Sequence, residues 1–157
     1  MSTLQLYGLF GANIAGGTAG GGTPIDYLTD TIKFSLHNTT YVPDIDVHDF
    51  FDDATNELTT ANGYTAGGIT IAGKTVVYTA GGNINTFDMD DTTVIWTASG
   101  AGITFRYAVL RKDTGTASTS PLIGYIDCTG AGNTTVTAGN TLTITTGASG
   151  LFTGTVT

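Results

Sequence analysis

Short runs of alternating apolar and polar residues, separated by glycine-containing turns, recur along the chain. Alternation with a period of two residues is typical of strands that bury one face. The clearest run covers residues 103–111, and residues 122–127 form its natural antiparallel partner. Because the spacing leaves no room for the crossover helices of a parallel α/β fold, the pattern predicts an all-β fold, an antiparallel β-sandwich or barrel. Further strands are predicted over residues 31–38, 69–71, 74–79, 83–88, 93–97, 141–145 and 152–156.

The composition also favours a single β domain. Of the 157 residues, 23 are glycine, 11% are charged and 40% are hydrophobic. A chain of this length buries enough apolar surface to fold without a metal or a disulfide, and its single cysteine, Cys128, excludes an intramolecular disulfide. Threonine is abundant and suits strands, because its β-branch packs well on a pleated surface. We therefore expect residues 25–157 to form one β domain.

One short helix is predicted over residues 47–54. Asp46 precedes this segment and can cap it, and Asp49 places a negative charge near the helix N-terminus, where it is favourable. Phe50 and Phe51 would then hold the helix against the sheet.

The first 24 residues differ in composition from the rest of the chain. An apolar segment, residues 4–10, precedes a glycine-rich stretch over residues 15–22. Glycine gives a chain high backbone entropy, so this stretch is expected to act as a flexible tether. Two interpretations stay open: an N-terminal arm joined to the domain by the tether, or a first strand of the sheet followed by a loop.

A group of carboxylates between residues 44 and 57 is the strongest candidate for a chemical site. A calcium loop that starts at Asp44 needs glycine at its sixth position and glutamate at its twelfth, where the chain has Asp49 and Thr55. The group therefore predicts helix capping and a solvated acidic face rather than a metal site. Its members are Asp44, Asp46, Asp49, Asp52, Asp53 and Glu57.

The remaining motifs predict no catalytic, metal or cofactor site. His37, His48 and the single cysteine do not have the spacing of zinc ligands, and His37 falls on the polar, solvent-facing side of its strand. The chain has no Gly-x-Ser-x-Gly elbow and no phosphate-binding loop. We expect Cys128 to be a quiet, partly buried thiol and the protein not to be an enzyme.

Charge and hydropathy also bear on the partners. The net charge is −8, and the adjacent pair Arg111 and Lys112 is predicted to be a solvated hairpin end, so nucleic acid is not expected as a partner. Trp96 and Tyr107 are expected in the core rather than presented for sugar stacking. No apolar run approaches the length of a membrane span, and the first residues lack a basic leader. We therefore expect no membrane partner, and a protein made in the cytoplasm or assembled into a particle there.

Several segments, in order between residues 30 and 127, resemble a family of tailed-bacteriophage virion structural proteins. They cover residues 30–36, 41–44, 47–53, 56–57, 63–68, 106–109, 112–115 and 121–125. The resemblance implies a capsid decoration (cement) protein, assembled in the host cytoplasm and located on the capsid exterior. It implies the major capsid protein as the partner and a homo-oligomer, with a trimer favoured.

On this resemblance, the apolar side chains of the N-terminal segment are the candidates for capsid contact: Leu4, Leu6, Tyr7, Leu9 and Phe10. An added strand or an exposed sheet edge would supply main-chain hydrogen bonds to the shell. Two alternatives stay open. One is a tail, neck or fibre component of the virion, and the other is a carbohydrate-binding module that uses Trp96.

Overall fold

A computed structural model describes residues 4–17 and 23–155 of the chain. Short strands dominate this part, together with one five-residue helix, α1, and one 3-10 turn. The strands are β1 (Leu4–Leu6), β2 (Ile32–His37), β3 (Ile69–Thr70), β4 (Thr75–Thr79), β5 (Ile84–Asp88), β6 (Ile95–Thr97), β7 (Ile103–Phe105), β8 (Tyr107–Lys112), β9 (Leu122–Asp127), β10 (Thr134–Val136), β11 (Thr141–Thr143) and β12 (Phe152–Thr155); α1 is Phe10–Ile14 and the 3-10 turn is Ala117–Thr119.

The described strands pair antiparallel in four sheets. The largest has five strands in the order β1-β9-β8-β2-β3, and a three-stranded sheet has the order β12-β5-β4. Two further pairs, β10-β7 and β11-β6, complete the set. The predicted all-β, sandwich-like fold is confirmed, as is the antiparallel pairing of β8 with β9.

The five-stranded sheet is covered on both faces. On one face Ile32, Phe34 and Leu36 of β2 enter the main core. Each such fully buried apolar side chain contributes about 1.5–3 kcal/mol relative to an exposed one. The main core also contains Phe10, Ile25, Tyr27, Tyr64, Ile71, Met89, Val94, Trp96, Ala98, Ile103, Phe105, Ala108, Leu110, Ile123 and Ile144. The N-terminal segment and the remainder of the domain therefore share one core, and the expected burial of Trp96 is confirmed.

The opposite face of this sheet lies beneath residues 41–55, which we call the covering segment. A second, smaller core forms between them and includes Tyr41, Ala54, Tyr107 and Val109. The burial of Tyr107 agrees with the prediction. Because of this second layer, β2 has no solvent-facing side along most of its length.

The helix predicted over residues 47–54 is wrong, because this part of the covering segment consists of turns. The Asp53 carboxylate accepts the backbone N–H of Asp49 at 2.9 Å. The N–H of Phe51 donates to the carbonyl of Ser120 at 2.9 Å, in the loop before β9. Side-chain and tertiary acceptors thus take the N–H groups that a helix would use, and local Asp–backbone bonds compete with helix formation. The helix among the described residues, α1, lies near the N-terminus at Phe10–Ile14 instead.

The run predicted as one strand over residues 103–111 is divided in the structure. Its first part, β7, pairs with β10, while its second part, β8, pairs with β2 and β9. The change occurs at Arg106, whose N–H donates to the His37 carbonyl at 2.8 Å and whose carbonyl accepts from Cys128 at 2.9 Å. The chain thus passes from one sheet to another without a turn.

Candidate functional site

The N-terminal segment is the first strand of the large sheet, not a free arm. β1 pairs antiparallel with β9, with Leu6 opposite Gly124. A Cβ atom on Gly124 would lie 2.7 Å from the Gln5 carbonyl oxygen, so glycine permits this close approach. Tyr7 and Phe10 are buried.

The other three candidates for capsid contact are also used within the domain. Leu4 and Leu6 pack against the main core, and Leu9 is half-buried before α1. These side chains therefore stabilise the chain's own fold, and the arm interpretation is corrected in favour of the first-strand alternative. Residues 18–22 of the predicted glycine-rich tether lie outside the described residues.

Two acidic side chains of the covering segment, Asp44 and Asp53, accept backbone N–H groups of their own turns. Asp44 accepts the N–H of Asp46 at 3.1 Å, as Asp53 does for Asp49. The pKa of Asp49 is raised by burial and then by the negative charge of Asp53. Nearby, Glu57 accepts both the Tyr64 hydroxyl and the N–H of Gly67, at 2.5 and 2.6 Å. Within residues 4–17 and 23–155, no three His, Cys, Asp or Glu side chains are grouped to hold a metal ion.

A polar network that the sequence pattern did not predict lies between β2, β8 and the covering segment. His37 was predicted on the solvent-facing side of its strand, but both His37 and Ser35 are fully buried. The Nδ1 of His37 lies 2.8 Å from the Thr55 carbonyl and its Nε2 lies 3.0 Å from the Ser35 hydroxyl. Since a carbonyl can only accept, Nδ1 carries the proton and Nε2 accepts from Ser35.

Arg111 completes this network, so the predicted solvated hairpin end is wrong for this residue. Its guanidinium is buried, donates to Ser35 Oγ at 3.1 Å and to the Gly67 carbonyl at 3.0 Å, and lies 3.5 Å from the centre of the Phe51 ring. Burial lowers the pKa of Arg111, while Glu57 favours its charged form. Burial likewise lowers the pKa of His37, which keeps the imidazole neutral.

This serine–histidine pair has the hydrogen bond of a nucleophile and its base, but the surrounding side chains cover it completely. A substrate has no route to the hydroxyl in this arrangement. The network's physical effect is to hold the covering segment and Gly67 against the sheet through hydrogen bonds between buried polar groups. Among the described residues, the buried Nε of Arg111 has no hydrogen-bond partner.

A second set of hydrogen bonds fixes the start of the covering segment. The hydroxyls of Tyr7 and Tyr41 are 2.5 Å apart, and the Tyr41 hydroxyl also lies 3.3 Å from Nδ1 of His48. Burial raises the pKa of Tyr41 to about 12. In addition, the Gly8 N–H donates to the Ile45 carbonyl at 2.8 Å. The loop between Tyr41 and His48 is therefore held at both ends and near its middle.

That anchored loop presents three apolar side chains to solvent, beside the exposed side chains of Asp44 and Asp46. Val42 is 71% exposed, Val47 65% and Ile45 41%. We call residues 42–47 the apolar loop. Three large exposed aliphatic side chains on one restrained loop are the kind of surface that marks a protein contact.

Every cation of the chain is held by a group of the same chain, and all five lie in the described ranges. Lys33 pairs with Asp113 at 2.5 Å, Lys112 with Asp30 at 2.8 Å and Arg106 with Asp127 at 2.8 Å. Lys74 donates to the Asp30 carbonyl, and Arg111 is buried in the network described above. The arrangement gathers no cationic patch of the kind that binds phosphate.

Cys128, predicted to be a quiet thiol, is partly buried, and burial raises its pKa to about 11. Among the described residues no helix has the length and apolar character needed to cross a membrane.

Comparison of the chain with protein-family models, with curated protein sequences and with solved structures found no match.

Proposed function

We propose that the chain is a capsid decoration (cement) protein of a tailed bacteriophage, which binds the outer surface of the major capsid protein shell and stabilises it. The observation that carries the proposal is the apolar loop, which offers Val42, Ile45 and Val47 to solvent while its backbone is anchored. Pre-organised apolar groups bind without a large ordering cost.

The sequence resemblance supports the same surface. Two of the segments that resemble the phage virion proteins, residues 41–44 and 47–53, make up most of the apolar loop and the turns that follow it. The contact is therefore assigned to this loop rather than to residues 4–10, whose side chains the domain itself buries or packs.

The energetics suit a protein present in many copies. Burying one valine or isoleucine side chain at an interface contributes about 1.5–3 kcal/mol, so three such side chains per copy form a modest contact. Linking copies in a homo-oligomer makes each further contact intramolecular and multiplies the affinity.

The proposal is tested by adding purified protein to capsids of the phage that carries the gene, after the shells have been stripped of it. We expect the wild-type chain to rebind and Val42→Ser/Ile45→Ser/Val47→Ser to lose at least tenfold in affinity, because polar groups replace the buried contact. Leu28→Ser is the matched control, since Leu28 is equally an exposed aliphatic residue outside the apolar loop.

Electron cryo-microscopy of the same particles separates the alternatives. Density over the whole capsid surface supports the proposal, whereas density at one vertex or along the tail identifies a tail, neck or fibre component. Failure of the wild-type chain to bind shells contradicts the proposal. The carbohydrate-binding alternative depends on Trp96, which is buried.

A further inference from the structure

Strand β4 forms an open, apolar sheet edge. Its sheet has the order β12-β5-β4, so β4 pairs with β5 on one side and with no described strand on the other. All five residues of the strand are exposed, including Val77 at 55% and Tyr78 at 57%. Natural sheets commonly protect such edges with charges, proline or a bulge, and an edge without them is a template for pairing with another strand.

The pairing pattern shows which backbone groups of β4 point outward. The Phe87 carbonyl accepts the N–H of Leu151 from the β12 side of the sheet, and Phe87 stands opposite Val76 in the β4–β5 register. Phe87 and Val76 are therefore a non-hydrogen-bonded pair, and the backbone groups of Val76 face away from β5. Because the backbone groups of successive residues face opposite sides of a strand, those of Val77 face β5. The N–H and C=O groups of Val76 and Tyr78 therefore face solvent.

The strand is self-complementary about Val77. Its sequence is Thr-Val-Val-Tyr-Thr. In an antiparallel pair of two copies with Val77 on the two-fold axis, Val76 of one copy stands opposite Tyr78 of the other, and Thr75 opposite Thr79. Aromatic–β-branched and Thr–Thr pairs are favourable across strands. The outward groups of Val76 and Tyr78 then form four main-chain hydrogen bonds, two for each pair.

Charge also favours a second copy at this edge. The chain carries a net charge of −8, so two copies repel each other over most approaches. Residues 75–87, which comprise β4, the hairpin turn and most of β5, contain no charged residue. This hairpin is therefore a place where two copies can meet without opposing like charges.

From these observations we propose that a second copy of the chain docks on β4, so that two three-stranded sheets join into one six-stranded antiparallel sheet. The contact is isologous, since each copy offers the same strand. It is independent of the apolar loop and goes beyond the proposed binding to the shell. Because the pairing is one short strand long, we expect a dissociation constant of roughly 10 µM to 1 mM for the free protein.

The test is sedimentation equilibrium of the full chain between micromolar and millimolar concentrations. The wild type is expected to show a concentration-dependent two-fold increase in mass. Val77→Lys and Val77→Glu each place like charges on the axis and should weaken association at least tenfold, while an equal mixture of the two variants should restore it. Thr153→Lys is the matched control, because Thr153 lies on the same face of this sheet but in β12 and is exposed; it should associate like the wild type.

A covalent trap keeps the test decisive if the charged variants fold poorly. In a Cys128→Ser background, Val77→Cys should form a disulfide-linked dimer under mild oxidation, because residues directly opposite in a non-hydrogen-bonded antiparallel pair lie close enough to bridge. Thr153→Cys should not. A wild-type chain that stays monomeric, an oligomer whose mass Val77→Lys does not change, or a mixture that fails to recover association would each overturn the inference. None of these outcomes alters the expected binding of shells through the apolar loop, so the pairing of two copies through β4 can be refuted without refuting the binding to the shell.

Discussion

Replacing Arg111 by alanine should be among the most destabilising single changes in this chain. The guanidinium joins three parts of the fold: it donates to Ser35 on β2, donates to the carbonyl of Gly67, and stacks on Phe51 of the covering segment. Removal of the side chain leaves the Gly67 carbonyl without this donor and opens a cavity beneath Phe51.

The magnitude follows from these contacts. Two charge-assisted hydrogen bonds contribute about 1.5–3 kcal/mol each, and the cation–π contact adds about 1 kcal/mol. Removal also relieves the cost of holding a buried cation, an offset of several kcal/mol. The net loss expected for Arg111→Ala is about 3 kcal/mol, which lowers the Tm of a domain of this size by about 6–12 °C. Arg111→Met keeps the apolar stem and removes the charge, so it should cost less than the alanine variant.

Urea denaturation followed by circular dichroism measures these differences. Arg106→Ala is the matched control, because Arg106 precedes the same strand and pairs with Asp127 at the surface; its loss should be clearly smaller. An unfolding free energy for Arg111→Ala within about 1 kcal/mol of the wild type, or no lower than that of Arg106→Ala, would show that this buried cation does not hold the covering segment.

Three further predictions concern backbone fit and titration. Gly68→Ala should destabilise the fold by at least about 2 kcal/mol, because Gly68 has a φ of +72° and its Cβ would lie 1.9 Å from the Phe34 carbonyl oxygen; an unchanged Tm would contradict this. The folded pKa of His37 is lowered by burial from its usual 6.5, so the unfolded state takes up a proton first as pH falls. Above pH 6.5 the unfolding free energy should therefore keep its full value, and below pH 6.5 it should decline by at most about 1.4 kcal/mol per pH unit. In urea titrations between pH 7 and 5, His37→Gln should make this decline shallower. An equally steep decline in the variant would show that His37 does not cause it. Cys128, with its pKa raised to about 11, should react with Ellman's reagent at pH 7 much more slowly in the folded than in the urea-unfolded protein, and equal rates would show that the thiol is not protected.

The parts of the fold that were predictable from sequence are those that depend on local alternation. The period of two residues in β2 and β8 reflects the pleat of each strand, and it correctly assigns Ile32, Phe34 and Leu36 to the core. The prediction of a final strand from residue 152 is also confirmed, since β12 pairs with β5 at the edge of its sheet.

The errors at His37 and Arg111 concern the same buried layer, although the two predictions had different grounds. Alternation placed His37 on the polar face of its strand, whereas the charges of the pair Arg111 and Lys112 predicted a solvated hairpin end. Alternation identifies the face that enters a core, but it assigns the other face to water by default. Here the covering segment supplies a second layer, and the polar residues beneath it form hydrogen bonds within the protein rather than with solvent. Which polar face is covered depends on long-range packing of residues 41–55, and no local pattern in β2 reports it.

The two interpretations of residues 4–10, an arm or a first strand, could not be separated from the sequence for a related reason. Residues 4–10 are apolar both in a sticky arm and in an inner strand, so hydropathy alone does not separate the two. Gly124 was the available signal, because a glycine inside a strand often marks the close approach of another backbone. The apolar loop has an ordinary composition, and only the structure shows that Tyr41 is buried beside it while Val42 remains exposed.

Quantitative mass spectrometry of purified virions of the phage that carries the gene would test whether this chain is a decoration protein of the capsid. We expect a copy number of the same order as that of the major capsid protein, together with loss of the chain under mild conditions that leave shells intact. A few copies per particle, or none, would contradict it.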